Sequence, residues 1–270
     1  MLLRTITGLM LLPLLLILLF APLWAVTLGV AAISTLATYE VLSHWPTPIK
    51  KRIRLAACCL TPFVYTLIYL DVQPYYYMAL FFVFLLLMFF EVLADYDNFG
   101  FFGLVGVCFC GAVFPALYSS MVRIAALPDH AFLAIIPFLI TISSDAFALF
   151  AGKLFGKHRL APVVSPRKTI EGSVGGFVCC VGVMLGYGAV VSLLGAQVDY
   201  LRLFVYAAVG GVLAQTGDLS MSAVKRSLGI KDFGKVFPGH GGILDRFDSL
   251  LFVAPIVEIL IYSLPAVTLL

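Results

Sequence analysis

The feature that most constrains this chain is a series of long apolar runs separated by short polar loops. Most runs approach about 20 residues, which is the length that an α-helix needs to cross a bilayer. Hydrophobic residues make up 62% of the 270 residues and charged residues 11%, whereas soluble domains are about 45–50% apolar and about 25% charged. Only helices and closed barrels satisfy their backbone in lipid. Because the runs do not alternate, the sequence predicts an all-α, polytopic integral membrane protein.

The apolar runs predict about nine membrane spans. They cover roughly residues 1–21, 22–42, 55–70, 75–93, 99–117, 131–155, 173–194, 201–221 and 250–269. The first run also has features of a signal peptide, with one cation before an apolar core, and that alternative stays open. We expect an N-terminal region of about five spans over residues 1–130. A C-terminal catalytic region over 131–270 would carry two polar loops, 156–172 and 223–249.

The cations are distributed unevenly between the two sides of this predicted topology. Of the 17 lysines and arginines, only Arg123 and Arg202 fall on the side opposite the N-terminus. Since an excess of Lys and Arg marks cytoplasmic loops, we expect the N-terminus to be cytoplasmic. The two polar loops would then face the cytosol together, where nucleotides and phosphates are found.

Several common site patterns are absent from the sequence. It has no P-loop, no G-x-G-x-x-G and no H-E-x-x-H. The six cysteines lie in apolar runs, and neighbouring positions on a helix cannot form a tetrahedral zinc site, so they are predicted to be small packing residues. Glu40, Glu91 and Glu258 stand alone near span ends, where we expect them to be satisfied locally.

Charge is concentrated between Ser222 and Asp248. These 27 residues hold five cations and three acids among five glycines. Lysines and arginines beside flexible glycines favour phosphate binding, and aspartates among them suggest a hard metal ion. The turn Pro238–Gly242 can direct backbone N–H groups at a phosphate. His240 is a candidate donor to a phosphate oxygen, with a hydrogen-bonded turn histidine as the alternative.

Span 8 leads into this segment with four polar residues on one predicted helix face: Gln215, Asp218, Ser222 and Lys225. An acid in a membrane helix is costly and usually functional, although Asp218 could instead pair with Lys225 or Arg226. We expect Asp218 and Asp245 to bind Mg²⁺ from two helix ends, because this ion commonly takes one or two carboxylates plus phosphate oxygens.

Asp248 follows Asp245 by three residues, so the two would share a helix face. Capping of span 9 or pairing with Arg246 is the alternative role for Asp248. Asp145, within span 6, is predicted to be a buried acid that needs Lys153 or a bound cation as its partner.

The loop after span 6 is predicted to form the second half of the site. It brings together two hydroxyls, two cations and an acid: Ser165, Arg167, Lys168, Thr169 and Glu171. Ordinary cytoplasmic charge explains Lys157 and Arg159 well, but it explains the S-P-R-K-T-I-E-G pattern less well.

The segment Ser222–Asp248 resembles, position for position, the signature of the phosphatidate cytidylyltransferases (CDP-diacylglycerol synthases). That signature reads S-x-hydrophobic-K-R, then K-D, then P-x-H-G-G and finally D-R-hydrophobic-D. Its fixed positions are Ser222, Lys225, Arg226, Lys231, Asp232, His240, Gly241, Gly242, Asp245, Arg246 and Asp248. The stretch 145–172 is also similar to the family, while the N-terminal spans match only in size and hydropathy.

The resemblance implies the reaction CTP + phosphatidate → CDP-diacylglycerol + pyrophosphate, in phospholipid biosynthesis. It implies a site on the cytoplasmic face of the bacterial inner membrane, Mg²⁺ with room for a second cation, surrounding membrane lipids, no nucleic acid and a homodimer. Asp218, Asp245, Lys225 and Arg246 would be catalytic, the two aspartates as metal ligands. The substrate-binding residues would be Ser165, Arg167, Lys168, Thr169, Glu171, Ser222, Arg226, Lys231, Asp232, His240, Gly241, Gly242 and Asp248.

Two other classes of function stay open at this point. A CTP-dependent lipid-alcohol kinase would share the nucleotide, the metal and the membrane, but it would need a base for a hydroxyl. An anion transporter would use the cationic loops as a vestibule. Transporters usually show repeats and broken helices at mid-membrane, and neither pattern is visible here.

Overall fold

A computed structural model describes residues 21–128, 130–236 and 241–269, and these are mostly helical. The helices are α1 (Leu23–Ser43), α2 (Lys51–Tyr69), α3 (Pro74–Ala94), α4 (Gly100–Cys108), α5 (Phe114–Ala125), α6 (His130–Phe155), α7 (Ile170–Leu193), α8 (Tyr200–Ser227), α9 (Leu244–Phe247) and α10 (Leu250–Ser263). A π-helical stretch, Phe109–Val113, joins α4 to α5.

The prediction of a helical membrane protein is confirmed. Within the described residues, five helical stretches are long and apolar enough to cross a membrane: Leu23–Ser43, Pro74–Ala94, Gly100–Ala125, His130–Phe155 and Ile170–Leu193. Predicted spans 2 to 9 each coincide with a helical stretch, whereas span 1 falls almost entirely on residues outside the described ranges.

The sequence prediction missed two small antiparallel sheets. Strand β1 (Arg159–Ala161) pairs with β2 (Ser165–Thr169), and β3 (Ala196–Val198) pairs with β4 (Val267–Leu269). The extension of span 9 to residue 269 is therefore wrong, because α10 ends at Ser263. Pro265 cannot continue a helix, and the following residues add a strand instead.

The chain divides into two compact units. The first comprises Met1–Arg123 and Leu228–Arg246, and the second comprises Ile124–Ser227 and Phe247–Leu270. The charged segment, Ser222–Asp248, is thus divided between the units. Residues Leu228–Arg246 belong to the first unit, while the end of α8 and Asp248 belong to the second. The predicted N-terminal and C-terminal regions stay a prediction.

The first unit is built around α1, α2 and the π-helical stretch, which contact one another. A π-turn leaves carbonyl groups with altered partners, and here the Thr38 hydroxyl donates to the Cys110 carbonyl at 2.9 Å. The Tyr65 hydroxyl likewise donates to the Pro115 carbonyl at 3.2 Å. Phe233, from the charged segment, is fully buried in this unit.

The second unit is organised by close contact between α6 and α7. A Cβ atom added at Gly176 would lie 2.6 Å from the Ser144 carbonyl oxygen and 2.8 Å from Ala148 Cβ. Small residues let membrane helices approach closely in this way. The helix α8 packs on both α6 and α7, and α10 packs on α8 and α6, so α8 is held by three other helices of the same unit.

The six cysteines are unpaired thiols, and Cys110 and Cys180 are fully buried. The Cys180 thiol lies 3.7 Å from the Ile140 carbonyl oxygen across the contact between α7 and α6. These two cysteines therefore pack as small apolar residues, as expected.

Candidate active site

Asp218 is the centre of the polar cluster in the second unit. Its Oδ2 lies 2.6 Å from Lys168 Nζ, and both side chains are about one quarter exposed. Ser222 donates its hydroxyl to Asp218 Oδ1 at 3.4 Å, one turn further along α8. The helix face predicted from spacing is confirmed, but the partner of Asp218 is Lys168 from strand β2 rather than Lys225 or Arg226.

Gln215 lies at the N-terminal end of the same polar face of α8. Its amide donates to the Ser173 carbonyl at 2.9 Å, and the Ser173 hydroxyl donates back to Gln215 Oε1. Both bonds join α8 to the first turn of α7. The loop that carries Lys168 leads directly into that turn, so the amide helps to set the position of Lys168 relative to Asp218.

Asp248 is a buried acid near the same end of α8. Its Oδ2 is 4.0 Å from Lys225 Nζ, and its Oδ1 accepts from the backbone N–H of Ser249 at 2.8 Å. Burial, together with the neighbouring charges of Asp218 and Asp145, raises the pKa of Asp248 from its ordinary value near 3.8 to about 8. The pairing with Arg246 considered from sequence is replaced by a partner on α8.

Asp145 completes the group of acids in the second unit. Its Oδ2 accepts from the Ser249 hydroxyl at 3.4 Å, which joins α6 to the start of α10. The side chain is exposed, so the expectation of a buried acid is wrong. One end of the second unit therefore holds three carboxyl groups and two lysines: Asp145, Asp218, Asp248, Lys168 and Lys225.

The loop after α6 reaches this cluster as the β1–β2 hairpin. Lys168 lies on β2 and points to Asp218, whereas Arg167 beside it is exposed, as the alternation of a strand requires. Arg226 donates through Nε to the Val164 carbonyl at 3.2 Å, so the end of α8 also binds the hairpin turn. Ser165 opens β2 and is partly buried.

Two residues predicted to bind substrate have structural bonds in the hairpin, and their predicted role stays a prediction. Thr169 is the N-cap of α7, since its hydroxyl accepts from the Gly172 N–H at 3.1 Å. Glu171 accepts from the backbone N–H of Lys157 at 3.0 Å and lies 2.6 Å from His158 Nδ1. Both side chains thereby hold the strand that carries Lys168.

In the first unit, Asp245 ties the charged segment to itself. Its Oδ2 accepts from the backbone N–H of Phe233 at 2.8 Å and of Gly242 at 2.9 Å. Gly241 has a φ of +91°, which disfavours other residues, and a Cβ added there would lie 2.8 Å from the same Oδ2. Gly241 thus makes room for the carboxylate of Asp245, and Gly242 donates its backbone N–H to it.

The remaining predicted residues of this segment present their side chains outward. Lys231, Asp232 and Arg246 are exposed. His240 lies outside the described residues, so its predicted role stays a prediction. Asp245 and Asp218 belong to different units, and each is described within its own.

Sequence reasoning missed one residue that organises the segment. Glu40 was expected to be satisfied locally, but its carboxylate accepts from the backbone N–H groups of Ile243 and Leu244 at 2.9 and 3.0 Å. That expectation is wrong for Glu40, whose partners lie more than 200 residues further along the chain. Glu91 also has a distant partner, Arg52 at 2.7 Å.

The carboxylate oxygens of the second unit are suitable ligands for a hard cation. Asp218 and Asp248 lie close enough for the charge of one to raise the pKa of the other, and a cation would relieve that repulsion. Within the described ranges, no three or more His, Cys, Asp or Glu residues are grouped as a metal site. One or two carboxylates suffice for Mg²⁺ when phosphate oxygens and waters complete the shell.

Comparison with known proteins agrees with the signature. A family model described as "Cytidylyltransferase family" matches residues 2–264. The chain is 36% identical over 163 residues to a phosphatidate cytidylyltransferase of Staphylococcus saprophyticus, which covers 60% of this chain and 59% of that protein. It is 46% identical over 124 residues, 46% of each chain, to a protein of the same name from Staphylococcus epidermidis. The aligned regions thus span about three fifths or less of these relatives.

The fold and the site together define a helical membrane protein with a polar end rich in carboxylates and cationic side chains. The family match covers nearly the whole chain, and the chain belongs to the Cytidylyltransferase family.

Proposed function

We propose that this protein is a phosphatidate cytidylyltransferase, which converts CTP and phosphatidate to CDP-diacylglycerol and pyrophosphate. The observation that carries the proposal is the ion pair between Lys168 and Asp218, 2.6 Å long. It joins the loop after α6 to the polar face of α8, and these two stretches carry much of the family resemblance. The Staphylococcus relatives named for this activity support the same assignment.

The reaction is a nucleotidyl transfer that requires no protein nucleophile. A phosphate oxygen of phosphatidate, already ionised, forms a bond to the α-phosphorus of CTP. The bond between that phosphorus and the bridging oxygen to the β-phosphate breaks, and pyrophosphate leaves with the electron pair. Because both substrates are anions, the site must chiefly neutralise charge and align the reacting groups.

We propose that Asp218 binds Mg²⁺, with the buried carboxylate of Asp248 beside it. Mg²⁺ would neutralise the triphosphate and the departing pyrophosphate when bound. Lys168 neutralises Asp218 in the structure; once a cation takes over that role, its ammonium group is available to the phosphatidate headgroup. A second cation, and the assignment of Asp245 to the same metal ion, stay predictions from the sequence.

The other cations would neutralise phosphates. Arginine suits bidentate contact with phosphate and lysine acts as a point charge, and we propose these roles for Arg226 and Arg246 and for Lys225 and Lys231, as predicted from the sequence. The exposure of Arg246 and Lys231 is compatible with nucleotide capture.

We further propose nine spans, a cytoplasmic N-terminus and a site on the cytoplasmic face of a bacterial inner membrane. The distribution of Lys and Arg supports this orientation, and the five apolar helical stretches support the membrane location. A homodimer embedded in membrane lipid, with no nucleic-acid partner, follows from the family resemblance.

The test is to follow each phosphate of CTP. Purified protein is incubated with phosphatidate, Mg²⁺ and CTP labelled at the α- or the γ-phosphate, and the lipids are extracted. We expect α-label in the lipid and γ-label in water-soluble pyrophosphate. Transfer of γ-label to the lipid would show a kinase. Absence of label from the lipid with both labelled forms of CTP would overturn the proposal.

A further inference from the structure

Glu40, near the end of α1, is the anchor of the charged segment in the first unit. It is 5% exposed, and its two carboxylate oxygens each accept one backbone N–H, from Ile243 and from Leu244. Hydrogen bonds to a charged acceptor are stronger than those between neutral groups. This carboxylate therefore couples α1 to the residues directly before Asp245 and Arg246.

The glycines of the segment are shaped around this carboxylate. A Cβ atom added at Gly242 would overlap the carboxylate of Glu40, which supplies all three of the nearest atoms. One added at Gly234 would overlap it as well. Gly242 does not have a positive φ, so the carboxylate, and not the backbone conformation, excludes a side chain there.

Glu40 gives the segment a direct hydrogen-bonded connection to α1. Between Leu228 and Ile243, the described residues include no helix and no paired strand. Asp245 ties Phe233 to Gly242 within the segment, but those bonds do not hold it to α1. Glu40 supplies that connection, because a segment without a hydrogen-bonded ladder depends on side-chain acceptors for its backbone donors.

We propose that Glu40 is a positioning residue for cytidylyl transfer: its carboxylate sets where the segment 241–246 presents Asp245 and Arg246. The inference rests on the proposed function. It adds to the signature a residue from α1, a helix that the resemblance covered only in size and hydropathy.

The first test compares Glu40→Gln with the matched control Glu91→Gln. Gln keeps the size of Glu40 and one acceptor oxygen, but it places an NH₂ group against the second N–H. We expect kcat for label transfer to fall about tenfold or more, or KM for CTP to rise by that factor. Hydrogen exchange should increase in peptides from 228–246 and stay unchanged in α6 to α8. The control removes one charge of the exposed pair with Arg52 and should leave kinetics and exchange unchanged.

The second test is a double-mutant cycle that measures the coupling between Glu40 and Gly242 through turnover. Gly242→Ala should reduce turnover about tenfold or more in the wild-type background, because the added methyl group displaces the carboxylate. In the Glu40→Ala background the same substitution should change turnover less than twofold, since the space is then open. Such coupling is expected only of groups in direct contact.

Three results would overturn the inference. The first is wild-type kcat and KM in Glu40→Gln. The second is an equal, additive cost of Gly242→Ala in both backgrounds. The third is a rise in exchange across the whole protein, which would show a purely structural role. Wild-type protein that transfers no label would overturn the proposed function and the positioning role with it, whereas an active wild type with unchanged Glu40→Gln overturns the positioning role alone.

Discussion

Lys168 is the residue at which the two halves of the candidate site meet in the second unit. We expect Lys168→Ala to raise KM for phosphatidate about 10- to 100-fold, which corresponds to the loss of a charge-assisted hydrogen bond of about 1.5–3 kcal/mol. Steady-state kinetics with mixed micelles of phosphatidate would measure it. Lys157→Ala is the control, because only the backbone of Lys157 is bonded to Glu171. A similar KM effect in both variants would show a general loss of surface charge.

Asp248 gives the protein a pH dependence of stability. Its pKa is raised to about 8 in the folded protein, first by burial and then by the charge of Asp218, against about 3.9 in an unfolded chain. Between these values the unfolded state has released the proton and the folded state retains it, so this group lowers the free energy of unfolding as pH rises.

The corresponding measurement is the unfolding temperature in detergent, without Mg²⁺, from pH 5 to pH 9. We expect the wild type to lose stability relative to Asp248→Asn as pH rises towards 8, and Mg²⁺ to reduce that difference. Parallel curves for the two proteins would contradict the burial of this carboxylate.

At the level of single residues, the sequence predicted the polar face of α8 because a period of 3.6 residues brings Asp218 and Ser222 together. It could not predict the partner of Asp218, since Lys168 stands 50 residues earlier in a hairpin. Glu40 was beyond its reach for the same reason: neither periodicity nor a motif connects α1 with Ile243.

Among the elements, the contact between α6 and α7 has the clearest test. We expect Gly176→Ala to destabilise the protein, because the added Cβ would meet the Ser144 carbonyl and Ala148. Gly182→Ala on the same helix is the control, since nothing lies within 4 Å of its added Cβ. Helix propensity alone favours alanine there by about 1 kcal/mol.

Thermal unfolding of both variants, with the membrane-inserted yield, provides the measurement. Gly176→Ala should unfold at a lower temperature than the wild type, and Gly182→Ala at the same or a higher one. Equal behaviour of the two would mean that α6 and α7 do not approach as closely as the structure shows.

The helices could be predicted from long apolar runs, but the four strands could not. Three of them have three residues each, which is too short for an alternating pattern to stand out from its surroundings. Their pairing depends on the ends of helices meeting, as when β4 follows α10 and reaches β3. The residues of the β1–β2 hairpin were recognised as functional, but their conformation was not.

For the whole molecule, the predicted topology has a direct test. Alkaline phosphatase requires an oxidising compartment to form its disulfides, so a fusion reports the side of the membrane. We expect an active reporter when it is inserted after Val72 and an inactive one when it is inserted after Val163. Activity at both positions, or the reverse pattern, would contradict the orientation inferred from Lys and Arg.

Asp218 is proposed to bind the cation that neutralises the phosphates of CTP while phosphatidate attacks the α-phosphorus. The most direct measurement is transfer of α-label from CTP to lipid by Asp218→Asn across a Mg²⁺ titration. Asp199→Asn is the matched control, since Asp199 belongs to the same unit and forms an exposed pair with Arg202 at 3.0 Å. We expect label transfer by Asp218→Asn to fall by more than the about 10–100-fold typical of residues that support a metal ligand. We expect no loss of label transfer in the control. Near-normal turnover of Asp218→Asn at every Mg²⁺ concentration would contradict the proposal.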